Sequence, residues 1–233
     1  MVKTWQSEIS TYLDHLRNSL AQFDTPPPYP PSIPEGPMET APTVLQSLIH
    51  RSVTFYGLSA WARARETTQG LVTLWSEGCL SPGAALSRLL FEIWGASRLM
   101  SNGLRHYLDS KDPNSLSRTV NKLFEGVRSE VLLPWGSPAS EKPIHVLDAI
   151  RSLQQVYPEA IQTYEDLCES AHANLPRFME WWHLGKAGDN WSNETVQKRG
   201  HVLLSKTVSA VELAVSGTVT EVKEGMKLCG QIY

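Results

Sequence analysis

The chain of 233 residues carries a formal net charge of −3, with 41% hydrophobic and 19% charged residues. These values suit a globular protein, and they argue against global disorder and against a basic surface that coats nucleic acid. The three cysteines form no CxxC pair, so neither a zinc knuckle nor a disulfide framework is indicated. The sequence shows no apolar signal segment and no run of ~20 apolar residues, so we expect a cytoplasmic protein without a membrane partner.

The N-terminal part predicts a helical arm on a strap. Apolar residues recur at spacings of three and four over residues 3–22, which is typical of an amphipathic helix, and eight of the fifteen prolines follow between Asp24 and Thr43. Because proline lacks an amide donor and clashes with a helical turn, the strap is predicted to be extended. Residues 1–43 would then form a helix plus a Pro-rich linker that either docks on its own body or reaches a second subunit.

Residues 44–233 predict a single helical bundle domain. Helices bounded by proline, glycine and capping residues are expected over 44–77, 82–109, 113–129, 143–156, 158–173 and 192–229. Residues 174–191 indicate a structured loop or a short helix, and a strand at 207–222 is the alternative to the last helix, since β-branched residues are frequent there. The fold class is therefore all-α, an up-and-down bundle of five to six main helices with the N-terminal arm.

Two short polar strings stand out, Arg88-Leu-Leu-Phe-Glu92 and Glu169-Ser-Ala-His172-Ala-Asn174. Ionisable groups on apolar helices are costly unless they pair with each other or with a ligand. The plain interpretation of Arg88 and Glu92 is an i,i+4 salt bridge at the bundle edge. The functional interpretation is an internal polar site that the helix carrying Glu169 and His172 completes.

The second string has three interpretations. A histidine in line with apolar neighbours is commonly a satisfied core residue, but Glu169, three residues before His172, can point at the same spot. Asn174 can cap the helix or hold one ring nitrogen of the histidine. Glu-x-x-His is also half of a di-iron carboxylate signature, whose second copy is missing. We therefore assign no metal ligand and expect no cofactor.

The second string also carries a resemblance to a family. Residues 164–174, Tyr-Glu-Asp-Leu-Cys-Glu-Ser-Ala-His-Ala-Asn, resemble the "Leu-Ser-Glu-x-x-His-Pro-Asn" run of uncharacterised bacterial helical proteins, where an "Ala-x-x-Arg-x-x-x-Glu" helix lies upstream. The residues similar to that upstream helix are Ala84, Ala85, Arg88 and Glu92. The resemblance spans residues 80–200 loosely and departs at Ala173, where the family has proline.

That family is similar in its helical make-up to HEPN-type domains, which are often RNA-cleaving or nucleotide-binding parts of bacterial defence systems. HEPN ribonucleases use an Arg-x(4–6)-His motif, in which arginine stabilises phosphate charge and histidine moves the proton. Arg177 and His183 have this spacing, although the residues between them are bulky and apolar. Trp182 belongs to an aromatic cluster that either binds a partner or covers the open end of the bundle.

The sequence thus leads first to a HEPN-like helical module of a bacterial stress or defence system, acting through ligand binding or RNA handling. The candidate catalytic residues are Arg88, Glu92, Glu169 and His172. The candidate substrate-binding residues are Asn174, Arg177, Trp182 and His183. The second hypothesis is a non-catalytic interaction or scaffold protein with a buried polar network, and the third is a metal-dependent bundle enzyme. Expected partners are RNA, another protein, or a second copy bound through the N-terminal arm or the long C-terminal helix.

Overall fold

The computed structural model describes residues 2–30, 41–77, 80–124, 144–171 and 194–232. In these ranges it forms a packed helical bundle without strands. The seven helices are α1 (Val2–Ala21), α2 (Ala41–Ser76), α3 (Leu80–Ser110), α4 (Pro113–Phe124), α5 (Val146–Leu153), α6 (Ala160–Ala171) and α7 (Glu194–Cys229). The predicted all-α bundle is confirmed. The alternative strand at 207–222 is wrong, because the valines of α7 are buried at helical spacing against neighbouring helices.

Helix α3 lies at the centre of the bundle. It contacts α2, α4, α5, α6 and α7. Leu90, Phe91 and Ile93 are all buried although they point in different directions around the helix axis. A helix that is apolar over most of its circumference requires neighbours on every side, so the composition of α3 places it in the middle.

The relative directions of the helices follow from their contacts. Trp75 packs beside Gly83, and the earlier Gly70 packs beside the later Leu86, so α2 and α3 are antiparallel. Contacts that advance along α3 from Trp94 to Leu104 also advance along α7, from Gly217 to Gly225, so these two helices are parallel. Helices α3 and α7, which are far apart in sequence, therefore lie side by side in the bundle.

The N-terminal arm packs on its own chain. Helix α1 contacts α7 and α2. Leu16 and Phe23 are buried, and the Phe23 ring meets the Trp61 ring edge-on with 5.1 Å between centroids. His15 Nδ1 lies 2.8 Å from Glu212 Oε1 on α7. The arm is therefore docked on its own chain. The division of the chain into residues 1–43 and 44–233 stays a prediction.

The predicted helix starts near residues 143 and 158 are each early by two or three residues. Helix α5 begins at Val146, because the Nδ1 of His145 accepts the Leu147 amide at 3.2 Å and caps the helix. Pro158 lies in the turn before α6 rather than in its first turn. The expected end of α4 near residue 129 and the expected loop at 174–191 lie outside the described residues.

Glycines permit the closest helix crossings. A Cβ at Gly95 would lie 2.6 Å from the carbonyl oxygen of Ala149 on α5, and a Cβ at Gly217 would lie 2.1 Å from the Trp94 ring. Real Cβ atoms do not approach other atoms so closely, so a side chain at either position forces a helix or an indole to move.

We predict that Gly95→Ala destabilises the protein by about 1–3 kcal/mol, because the Ala149 backbone cannot yield as a flexible side chain does. Gly225→Ala is the matched control, since its Cβ would meet only Leu104 Cδ1 at 3.9 Å. Because alanine favours helix over glycine, the control is expected to gain up to about 1 kcal/mol. Urea unfolding of both variants measures the difference, and equal effects of the same sign would contradict the proposed crossing.

Candidate functional site

Helices α3 and α6 meet at the predicted Arg88–Glu92 pair. Arg88 Nε donates a hydrogen bond to Glu92 Oε1 at 3.0 Å. The Tyr164 hydroxyl of α6 donates to the same oxygen at 2.8 Å, and the Arg88 guanidinium carbon lies 6.0 Å from the centre of the Tyr164 ring. The intrahelical salt bridge is therefore present, and α6 adds a phenol to it.

Burial and charge set the protonation of this group. Burial opposes the charged form of Arg88, but the hydrogen bond and the charge of Glu92 outweigh it and raise the pKa of the guanidinium. Burial, followed by the hydrogen bond to Glu92, raises the pKa of the Tyr164 phenol far above its ordinary value near 10. Tyr164 is thus a neutral donor and not a proton acceptor at physiological pH. The side chains of Arg88 and Glu92 keep 35% and 26% of their surface exposed, so solvent reaches the pair.

The other predicted site residues stand as follows. Glu169 is exposed on α6, one residue beyond Cys168, which lies within hydrogen-bonding reach of Tyr164. Tyr164 of α6 contacts both Glu92 and Arg88. His172 and the four candidate substrate-binding residues, Asn174, Arg177, Trp182 and His183, lie outside the described residues.

No metal centre is found in the part of the chain that the structure describes. There, no group of three or more histidine, cysteine, aspartate or glutamate side chains could hold a metal ion. The metal hypothesis depends on Glu169 together with His172, and only the first of these is described. It stays a prediction.

A second polar group, which the sequence did not lead us to expect, lies between α3, α5 and α7. The Arg98 guanidinium donates to one carboxylate oxygen of Glu221, and the Ser101 hydroxyl donates to the other. Arg98 Nε also donates to the Ser152 carbonyl oxygen at 3.0 Å, and Nη2 to Gln155 Oε1 at 3.3 Å. The Arg98 and Glu221 side chains are only 10% and 7% exposed, so this ion pair is buried.

Arg105 extends this network to the surface. Its Nη2 lies 3.5 Å from Glu221 Oε2, and its Nη1 donates to Asn102 Oδ1 at 2.8 Å. The side chain is 39% exposed. We call the group of Arg98, Ser101, Arg105 and Glu221 the Glu221 network. Two guanidinium groups share one carboxylate in it, which leaves a formal surplus of one positive charge.

A sequence signal for the Glu221 network existed. Arg98, Ser101 and Arg105 are spaced by three and four residues, so they share one face of α3 just as Arg88 and Glu92 do. Glu221 interrupts the apolar seam of α7 directly before Val222. Arg98, Arg105 and Glu221 are ionisable residues in largely apolar helices, but their pairing spans two helices, and intrahelical spacing does not reveal it.

A thiol packs beside the end of the bundle. Cys229 is fully buried, and its Sγ donates to the His50 carbonyl oxygen at 3.6 Å. Burial raises the pKa of this thiol to about 11. The thiolate is the reactive form, so Cys229 is a packing residue and not a nucleophile at neutral pH.

Comparisons with protein-family models, with curated proteins and with solved structures give no match to this chain. Among the described residues, no helix is both long enough and apolar enough to cross a membrane. The residues and their geometry are therefore the basis of the functional proposal.

We predict that Glu221→Gln destabilises the protein by about 3–5 kcal/mol, because it leaves the buried Arg98 without a counter-charge. Glu92→Gln is the matched control. A glutamine oxygen still accepts from Tyr164, and the Arg88–Glu92 pair is partly exposed, so its loss is expected to stay below about 1 kcal/mol. Denaturant unfolding at neutral pH measures both variants, and a Glu92→Gln effect as large as that of Glu221→Gln would refute this ranking.

Proposed function

We propose that the protein is a non-catalytic helical interaction module whose interior ionic network fixes how its central helices align. The single observation that carries this proposal is the Arg98–Glu221 pair. It is buried, and each nitrogen of the Arg98 guanidinium and each oxygen of the Glu221 carboxylate has a hydrogen bond to a protein atom. Groups that catalyse a reaction must reach a substrate, whereas this pair faces the protein interior.

The energetic role of such a pair is specificity. Taking two charges out of water is expensive, so the pair favours the one alignment of α3 and α7 that brings Arg98 opposite Glu221. Sliding α7 by one turn would leave both charges unpaired in the core. The antiparallel directions of α2 and α3, which the contacts of Gly83 with Trp75 and of Gly70 with Leu86 define, support the up-and-down order as part of the proposal.

The surface that α1 and α7 form together supports a second copy of the chain as the partner. The sequence predicts that a second copy binds through the N-terminal arm or the long C-terminal helix, and residues of both elements line one shallow groove. The residues of this groove are Asn18, Ser19, Gln22, Ser209, Glu212, Leu213 and Ser216. Leu213 is 41% exposed between two serines, which are small enough to let another helix approach closely.

We predict that the wild-type chain elutes as a dimer of twice 26.0 kDa and that Leu213→Glu converts it to the monomer, because a buried unpaired carboxylate opposes association. Leu48→Glu is the matched control, since Leu48 is an exposed leucine on α2. Size-exclusion chromatography with light scattering gives the masses. A monomeric wild type, or dissociation by both substitutions alike, would contradict the α1–α7 interface.

The second candidate function is the HEPN-like handling of RNA in a bacterial stress or defence context. The observation that favours it is the packing of α6 on α3 at Arg88, because α6 carries the beginning of the Glu169–Asn174 string. Arg88 is partly exposed and positively charged there, as an arginine that binds phosphate would be. The resemblance to the uncharacterised helical family supports this candidate as well.

One experiment separates the two functions. We expect the wild-type protein and the Arg88→Gln and His172→Ala variants all to leave a labelled single-stranded RNA intact. Arg88→Gln is expected to lower the melting temperature by no more than a few degrees, because its ion pair with Glu92 is partly exposed. Gel analysis of the RNA and thermal unfolding are the measurements. Cleavage by the wild type that both substitutions abolish, but that the exposed control Arg151→Gln retains, would replace the first proposal with the second.

A further inference from the structure

We propose that a groove between α3 and α7, distinct from the Arg88 site and from the α1–α7 surface, binds a small ligand through a phosphate monoester group. Its lining residues are Pro28, Arg105, Thr220, Lys223, Glu224 and Lys227. The groove has a volume of about 600 Å³, which lies within the range of roughly 300–1,000 Å³ for small-molecule sites. This inference does not depend on the proposed function.

The Glu221 network supplies the first part of the argument. Arg98 and Arg105 share the single carboxylate of Glu221, so the network that Arg105 connects to the groove carries a formal surplus of one positive charge. The Arg105 side chain is 39% exposed, so an anion can reach this charge from solvent. Arg105 is the residue of the Glu221 network that lines the groove, so an anion bound in the groove can neutralise the surplus positive charge there.

The Arg105 guanidinium is also held in place before any ligand arrives. Asn102 Oδ1 accepts from its Nη1 at 2.8 Å, and Glu221 Oε2 lies 3.5 Å from its Nη2. A side chain that is already ordered loses little conformational entropy on binding, which favours affinity. Guanidinium groups match the geometry of phosphate oxygens with two parallel donors.

Helix α7 supplies the second part. Thr220, Lys223 and Lys227 are spaced by three and four residues, so they line up along one face of the helix. The Lys223 ammonium lies 5.5 Å from the centre of the Trp61 ring, and this cation–π contact restrains it. Thr220 and the two lysines thus line the same groove as Arg105, and they can offer a hydroxyl and two ammonium groups as donors.

The charge count selects the class of anion. The four cations of the groove and the network are Arg98, Arg105, Lys223 and Lys227, and the two acids are Glu221 and Glu224. Four positive charges less two negative ones leave two. A phosphate monoester carries close to two negative charges at neutral pH, whereas a carboxylate or a phosphodiester carries one. The monoester is therefore the better match.

The test is isothermal titration calorimetry at low salt with inorganic phosphate, adenosine monophosphate and a single-stranded RNA oligomer. We expect the wild type to bind the first two, and Lys223→Gln/Lys227→Gln to weaken binding by about tenfold or more, since two charge-assisted contacts are lost. Glu224→Gln is expected to tighten binding by several-fold, because it removes the acid of the groove. Lys122→Gln, an exposed lysine on α4, is the matched control and is expected to change nothing.

Three results would overturn the inference. They are no binding of inorganic phosphate or adenosine monophosphate by the wild type, equal weakening by the Lys122→Gln control, and tight binding of the RNA that adenosine monophosphate does not displace. The substitutions leave Arg98, Arg105 and Glu221 in place, so the core stays intact. Failure here therefore leaves the interaction-module proposal standing, and failure of that proposal does not affect the groove.

Discussion

The carboxylate of Glu221 between the arginines of α3 is the constraint on which the rest of the bundle depends. Helix α3 contacts five of the other helices, so its position relative to α7 decides where each of them can pack. A hydrophobic seam alone tolerates sliding by a turn, since one valine or leucine replaces another. A buried ion pair does not, because sliding leaves an unpaired charge in a low-dielectric interior.

Steric fit enforces the same alignment one turn away. The Trp94 ring lies over Gly217, four residues before the carboxylate of Glu221, and Trp94 itself lies four residues before Arg98. A side chain at position 217 would overlap the Trp94 indole, so only a glycine can face the ring at this point of α7. The ring contact and the ion pair are thus successive contacts along the parallel helices α3 and α7. Both require the same alignment of these two helices.

Local features were predictable from the sequence, and long-range ones were not. Pro113, Gly78 and the amphipathic spacing of residues 3–22 indicated helices and their ends, because these effects act within a few residues. Arg88 and Glu92 were recognised as a pair since they are one turn apart. The sequence does not decide where α1 docks, because a Pro-rich strap is compatible with both routes and an apolar helix face does not specify its partner.

The residues that were missed share one property: their partners lie on another helix. Tyr164 opens the string that carries the family resemblance, and its bond to Glu92 depends on how α6 crosses α3. Arg98 and Glu221 are 123 residues apart, and nothing in either segment indicates the alignment that joins them. Sequence spacing predicts which groups share a face, whereas the packing of whole helices decides which faces meet.

The two polar groups also differ in their connection to the surface, and this has a consequence for binding. The Arg88–Glu92 pair is neutral and lies at the bundle edge, so it attracts an ion only weakly. The Glu221 network carries a formal surplus of one positive charge and reaches solvent at Arg105. An anion bound there would offset the charge surplus of the same network that aligns α3 with α7. Because a ligand that binds only the folded state stabilises it, occupancy of the groove and rigidity of the central helix pair are thermodynamically linked.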